Sequence, residues 1–219
     1  MNSKTYSNIL FDLDGTLTDS GPGIMNSFAY AIGKMGGEVT DKSQLSKFVG
    51  PPLADSFGRI LGYSEEDTVK AIAFYREYYF GMGGSLENSV YPGIVELLSA
   101  LKAAGKRLMI ATSKSEKGTT LVLEHFDLMK YFDFVATSND TDRKTKTDVI
   151  RYALNQCGIS DLRSCVMVGD RNNDIEAAVN VGIDSIGVLY GYGSREELAG
   201  AGATYIVDTP SDIQSTVLA

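Results

Sequence analysis

From Tyr91 onward, apolar positions alternate between a helical period and short continuous runs. Ile94, Leu97, Leu98 and Leu101 fall on one face of a helix that Pro92 opens and Gly105 ends, and the following run, 107–111, has the apolar character of a strand. The alternation repeats with a helix near 119–126, a strand near 134–136, a helix near 148–157 and the run CVMVGD at 165–170. Short β-rich runs separated by helices predict an α/β fold built on a parallel, doubly wound sheet.

The run at 8–11 has the same strand character, but no comparable β run follows it between Asp19 and about Val90. Inside that stretch Ile24, Phe28, Ala31, Ile32 and Met35 recur at helical spacing, as do Val69, Ile72, Ala73 and Tyr79, and the glycines of 81–84 supply a flexible return. The pattern predicts a small α-helical cap inserted into the sheet domain. The expected division is a core of 1–18 and 88–219 and a cap of 19–87, with hinges near 17–21 and 83–90. No internal repeat and no low-complexity segment interrupts it.

Composition narrows the partners. A chain of 219 residues with 43% hydrophobic residues can bury one good core or two modest ones. Twenty basic against 28 acidic residues give a net charge of −8, which disfavours non-specific binding to nucleic acid or an anionic membrane. An anionic substrate then needs a local positive site, such as a metal. Cys157 and Cys165 are too few for a disulfide framework or a tetrahedral zinc site and are expected to be buried, inert thiols, and the single histidine, His125, leaves little histidine chemistry. The opening stretch MNSKTYSNILFDLDG has too short an apolar run for a signal peptide, and no stretch approaches the roughly 18 apolar residues of a membrane span. The expectation is a soluble, reduced, cytoplasmic protein, monomeric as the starting assumption.

Candidate chemistry gathers at predicted strand ends, where open parallel sheets carry their sites. In FDLDGT, 11–16, an apolar strand runs into Asp12, Asp14 and then Gly15, and strand alternation places both carboxylates on one side unless the chain is already turning. A bare pair of this kind is otherwise a loop or a helix cap. In VGDRNND, 168–174, a second strand meets Asp170, with Asp174 four residues on, close enough to share one cation through oxygen ligands; Asp174 alone also suits a helix N-cap. The run MIATSK, 109–114, ends a strand in the hydroxyls Thr112 and Ser113, which can donate to phosphate or simply cap a helix. The run RKTK, 143–146, offers a lysine able to offset charge at a phosphate, or a solvated loop.

FDLDGT, a Thr or Ser after the next major strand, a downstream Lys and GD-x-x-x-D, in that order from Ile9 to Asp174, resemble the four motifs of the haloacid dehalogenase superfamily. The resemblance implies a Rossmann-like core and a Mg²⁺-dependent phosphatase with Asp12 as nucleophile, Asp14 as general acid and then base, and Thr112 and Ser113 as phosphate ligands. It also implies a metal site of Asp12, the Asp14 carbonyl, Asp170 and Asp174. For the active-site lysine, the usual KPxPD form aligns Lys144, whereas relatives without those prolines carry it two residues before the Asp, which favours Lys146. A second Asp argues against dehalogenase activity. The insert's position resembles the helical cap of the phosphoglycolate phosphatase and β-phosphoglucomutase branch, and FVGPPL resembles a cap loop of that branch, which would bring Gly50 and Pro51 near substrate; a plain helix-breaking turn is the alternative.

The implied reaction is hydrolysis of a small phosphate monoester, phosphoglycolate-like or a nucleoside 5′-monophosphate, through an aspartyl-phosphate. The competing readings are a β-phosphoglucomutase-like isomerase and a non-enzymatic phospho-accepting receiver. In FYREYYF, 74–80, Tyr75 and Tyr79 are expected in the cap core rather than as a stacking face for a base. GYGSREE, 191–197, lacks the third glycine of a dinucleotide fingerprint and is expected to be a loop whose glycines set backbone conformation.

Overall fold

The computed structural model describes residues 5–139 and 141–219, so the first four residues of the amino-terminal stretch lie outside the description. The chain divides into two compact units, one made of the residues up to Leu17 together with 90–219, the other of 18–89.

In the larger unit β1 (Asn8–Phe11) is the first strand, and the 18–89 unit, with its helices α1 (Gly21–Lys34) and α2 (Glu65–Arg76), follows it in the chain. The larger unit then resumes with α3 (Ile94–Ala103), β2 (Arg107–Ser115), α4 (Glu116–His125), β3 (Phe134–Ser138), α5 (Lys146–Gln156) and β4 (Cys165–Gly169). It closes with α6 (Asn172–Val181), β5 (Asp184–Val188), α7 (Arg195–Gly200), β6 (Tyr205–Val207) and α8 (Pro210–Leu218). All strand pairs are parallel and the sheet order is β3-β2-β1-β4-β5-β6. The direction of winding reverses between β1 and β4, and at such a switch point the crevice outside the strand ends stays open to a ligand.

Helices cover both sheet faces, so the strands read as continuous apolar runs. Strand alternation then sorts the core. Ile9, Phe11, Leu108, Ile110, Val166 and Val168 face one cluster with Leu97, Leu98 and Leu101 of α3, while Leu10, Met109, Ala111, Cys165 and Met167 face another with Val149, Ile150 and Ala153 of α5. Each fully buried Leu, Ile or Val contributes roughly 1.5–3 kcal/mol. Helix α3 begins at Ile94 rather than at Pro92, because Gly93 takes the N-cap at φ +88, a conformation L side chains rarely adopt.

The named elements of the 18–89 unit are all helical, and its core packs on aromatic rings. Phe28 of α1 lies 4.7 Å from Phe48, 4.8 Å from Phe57 and 5.1 Å from Tyr75, centroid to centroid, and Tyr75 stacks on Tyr79 at 5.4 Å. Tyr75 and Tyr79 are thus core. Helix α2 starts where Ser64 Oγ accepts the Asp67 N–H at 3.1 Å, with Glu65, Glu66 and Asp67 in its first turn meeting the positive end of the helix dipole. Its buried face is Thr68, Ala71 and Tyr75, continued by Tyr79; Val69 and Ala73 are exposed and Ile72 is half-buried, which corrects the expected stripe by one position. Both phases fit a helical period, and the bulk of the two tyrosines against Phe28 selects this one. Among the described residues no helix is long and apolar enough to cross a membrane.

Candidate active site

Strand β1 ends at Phe11, and the Asp12 N–H continues the ladder by donating to the Val168 carbonyl at 2.9 Å, which fixes Asp12 at the switch point. Because the strand stops there, Asp12 and Asp14 do not simply share a strand face. Each takes its own lysine. Lys146 Nζ stands 2.7 Å from Asp12 Oδ1 and 2.8 Å from Asp174 Oδ1, and it donates to the Ala111 carbonyl at 3.0 Å. Lys114 Nζ donates to both Asp14 oxygens at 3.0 Å.

Local sequence explains how Lys146 arrives. Thr145 caps α5, its hydroxyl accepting the Asp148 N–H while Asp148 accepts the Thr145 N–H, so Lys146 is the first helical residue and is buried. Lys144 is exposed. Arg143 serves the fold instead: its guanidinium lies 4.1 Å from the Tyr152 ring centroid and its Nε donates to the Thr137 carbonyl at 2.9 Å.

Asp170 and Asp174 are fully buried. Asp174 is the third residue of α6 rather than its N-cap; its Oδ2 accepts the Arg171 N–H at 3.2 Å while Oδ1 faces Lys146. Capping and site membership therefore coexist on separate oxygens. Asp170 accepts the Thr16 hydroxyl at 3.3 Å and the Tyr192 N–H at 2.8 Å.

Ligand oxygens of Asp12, Asp170 and Asp174 all lie within 4.8 Å of one another. Three buried carboxylates against the one Lys146 ammonium leave a formal −2, and an all-oxygen donor set with that surplus suits a hard divalent cation. The residues present fit Mg²⁺. Burial, opposed by Lys146 and reinforced by Asp174 and Asp14, pushes the Asp12 carboxyl up to about 6. Burial and then the Asp174 charge raise Asp170 well above the carboxylate range. Burial pulls the Lys146 ammonium down, but the charges of Asp12 and Asp174 outweigh it and hold the group above its ordinary value.

Thr112 is buried at the end of β2, and its hydroxyl accepts the Lys114 N–H at 3.2 Å; Ser113 is half-buried. Gly50 and Pro51 belong to the 18–89 unit, where Gly50 makes a turn at φ +103. The two cysteines differ from each other: Cys165 is buried in β4 and Cys157 only half-buried, and burial raises both thiols.

Sequence reasoning missed the wall formed by the loop after β5. Neither Gly191 nor Gly193 has a positive φ, so these glycines do not serve backbone conformation as expected. They serve close approach. A Cβ on Gly191 would fall 2.3 Å from the Gly15 carbonyl oxygen and 2.4 Å from Asp170 Cβ, and one on Gly193 would fall 2.0 Å from the Asp170 carbonyl oxygen. Gly15 has both needs, with φ +86 and an added Cβ only 2.3 Å from Asp170 Oδ2. The close spacing of the two glycines in YGYGS, 190–194, was the available signal. Lys114, too, was visible in MIATSK without a role.

The model of the haloacid dehalogenase-like hydrolases matches residues 9–188. The chain belongs to that family. It is 40% identical over 194 residues, 88% of this chain and 87% of the relative, to a 5′-nucleotidase of Pseudomonas aeruginosa. A phosphoglycolate phosphatase of Vibrio parahaemolyticus is 28% identical across 99% of this chain and 98% of its own length. A crystal structure of a predicted phosphatase from Clostridium acetobutylicum superposes with a TM-score of 0.93 at 46% identity, covering 98% of this chain and 99% of that one. Within the family this haloacid dehalogenase-like hydrolase lies in the phosphoglycolate-phosphatase-like branch and is a phosphoric monoester hydrolase.

Proposed function

We propose that the chain hydrolyses a small phosphate monoester, phosphoglycolate-like or a nucleoside 5′-monophosphate, with Mg²⁺, through an aspartyl-phosphate (acyl phosphate) on Asp12. The observation that carries this reading is Lys146 seated between Asp12 and Asp174 inside the buried carboxylate cluster. Asp12 and Asp174 with Asp170 and the Asp14 carbonyl would hold the Mg²⁺, which, when bound, offsets the charge of the phosphoryl oxygens.

An Asp12 oxygen attacks phosphorus in line as the ester P–O bond breaks, and the leaving oxygen takes its proton from Asp14. Lys146 offsets the repulsion between the Asp12 carboxylate and the incoming phosphate. Thr112 and Ser113 offer hydroxyl donors to the phosphoryl oxygens. In the second half-reaction Asp14 takes a proton from water, the water oxygen attacks phosphorus, the P–O bond to Asp12 breaks, and the carboxylate is regenerated with release of phosphate. Gly50 and Pro51 are the cap residues assigned to substrate contact, and the core of 1–18 and 88–219 with a cap of 19–87 is the functional division this reading uses.

Phosphate release from a panel of phosphoglycolate, sugar phosphates and nucleoside monophosphates, with Mg²⁺ or EDTA, tests the proposal. The expected result is metal-dependent release that Asp12→Asn abolishes, with the best substrate naming the ester. Metal-independent release, or release that survives in Asp12→Asn, would overturn it. A requirement for a bisphosphate primer without net phosphate release would point to an isomerase.

A further inference from the structure

The site contains two lysines with different attachments. Lys146 sits on the nucleophile and the metal cluster, and Lys114 sits on Asp14, with both side chains of the Lys114–Asp14 pair largely removed from solvent at 8% and 11% exposure. Two further features are built around Lys114. The pairing of β2 with β3 shifts register between Thr112 and Ser115, and an irregularity of this kind re-aims the side chains it contains. The aliphatic stem of Lys114 then runs along Gly118 in the first turn of α4, where an added Cβ would lie 3.2 to 3.5 Å from its Cε, Cγ and Cδ. A bulged strand end, a track cleared by a glycine and a contact to both carboxylate oxygens are more than a surface ion pair needs.

We propose that Lys114 is a positioning residue for Asp14, holding its carboxylate in the orientation from which it takes the proton of the attacking water. The inference rests on the phosphatase reading above and deepens it. Lys114 accordingly matters most to the second half-reaction, in which the oxygen–phosphorus bond to Asp12 is broken by water, and least to the first with a substrate whose leaving group departs without a proton. Removing the ammonium while leaving Asp14 lets the carboxylate turn away, and the acyl phosphate on Asp12 then accumulates.

Rapid-mixing kinetics with p-nitrophenyl phosphate and Mg²⁺ test this on wild type, Lys114→Met, Lys114→Arg, Asp14→Asn and the Asp14→Asn/Lys114→Met double variant, each checked for a cooperative thermal transition. In Lys114→Met a burst of p-nitrophenolate near one equivalent per enzyme is expected, followed by a steady rate about 10–100-fold below wild type, on the scale of a lost proton-transfer group. Lys114→Arg, which keeps the charge, recovers part of that loss. In the Asp14→Asn background, Lys114→Met changes the rate by less than about twofold, because two residues acting as one unit do not multiply. Equal slowing of burst and steady state, a rise in KM alone, or losses that multiply in the double variant would overturn the proposal and make Lys114 a phosphate ligand. Turnover in wild type that Asp12→Asn fails to remove would instead sink the phosphatase reading beneath it.

Discussion

The larger unit buries the charged side chains Asp12, Asp14, Lys146, Asp170 and Asp174, whereas the buried polar side chains of the 18–89 unit are the hydroxyls of Thr18, Ser20, Ser27, Ser56, Thr68 and Ser85. Taking a charge out of water costs several kcal/mol unless it is paired, so buried ions persist where pairing and function both require them. The sheet unit meets that condition at one place, the switch point between β1 and β4, with Lys146 and Lys114 answering the carboxylates. The helical unit escapes it and packs by shape. The buried charges are thus concentrated in the one unit, while the other buries hydroxyls and rings.

The strongest way to break that comparison is Asp12→Asn. Phosphate release should fall by at least about 10³-fold, the scale on which loss of a covalent nucleophile is felt, while circular dichroism stays that of wild type. Residual release within tenfold of wild type would remove the core's claim to the chemistry. Next in size, Phe28→Ala should cost about 3–5 kcal/mol by emptying the centre of the ring cluster, with hydrogen-exchange protection lost first in 18–89. If protection fell equally in the sheet strands, the contrast between the units would fail.

A smaller effect is expected from Gly191→Ala, whose methyl group collides with Gly15 and Asp170. Calorimetric titration should show Mg²⁺ binding weakened by about 10–100-fold, as for lost support behind a metal ligand. Unchanged affinity would mean that the loop yields without disturbing Asp170. The smallest effect concerns pH. Asp12, raised to about 6 in the folded protein, binds its proton more tightly folded than unfolded. That contribution to stability is present below the ordinary carboxylate value and is lost as pH rises through about 6. In EDTA, the stability of Asp12→Asn relative to wild type should thus grow in urea titrations between pH 4.5 and 7, and Mg²⁺ should narrow the gap. A gap that shrinks with rising pH would show that Lys146 controls Asp12 more strongly than burial does.

Particular residues show how far the sequence reached. The runs ending in Asp12 and Asp170 were legible because a strand buried on both faces leaves an apolar run and its carboxyl end is where polar residues can return. Asp174 was legible as a neighbour of Asp170 one helical turn on. The choice of Lys146 over Lys144 rested on motif alignment, and the geometry behind it, a capping box that starts α5 at Lys146, is a local signal present in T-K-T-D. The stripe of α2 was misjudged by one position because Thr68 and Val69 fit the period equally and only the rings of Phe28 and Tyr75 separate them. Lys114 and the glycine at 191 were visible in their motifs, but their roles were not, since their partners are far away in sequence and near only through strand order.

By itself, the sequence determined the alternation of strands and helices, the insertion after the first strand and the acidic strand ends, because these depend on periodicity and on residues within one turn of each other. The tertiary structure alone decided which lysine meets which carboxylate and why the glycines after β5 have no side chains. Those outcomes depend on distances between the ends of neighbouring strands, between residues that share no local segment.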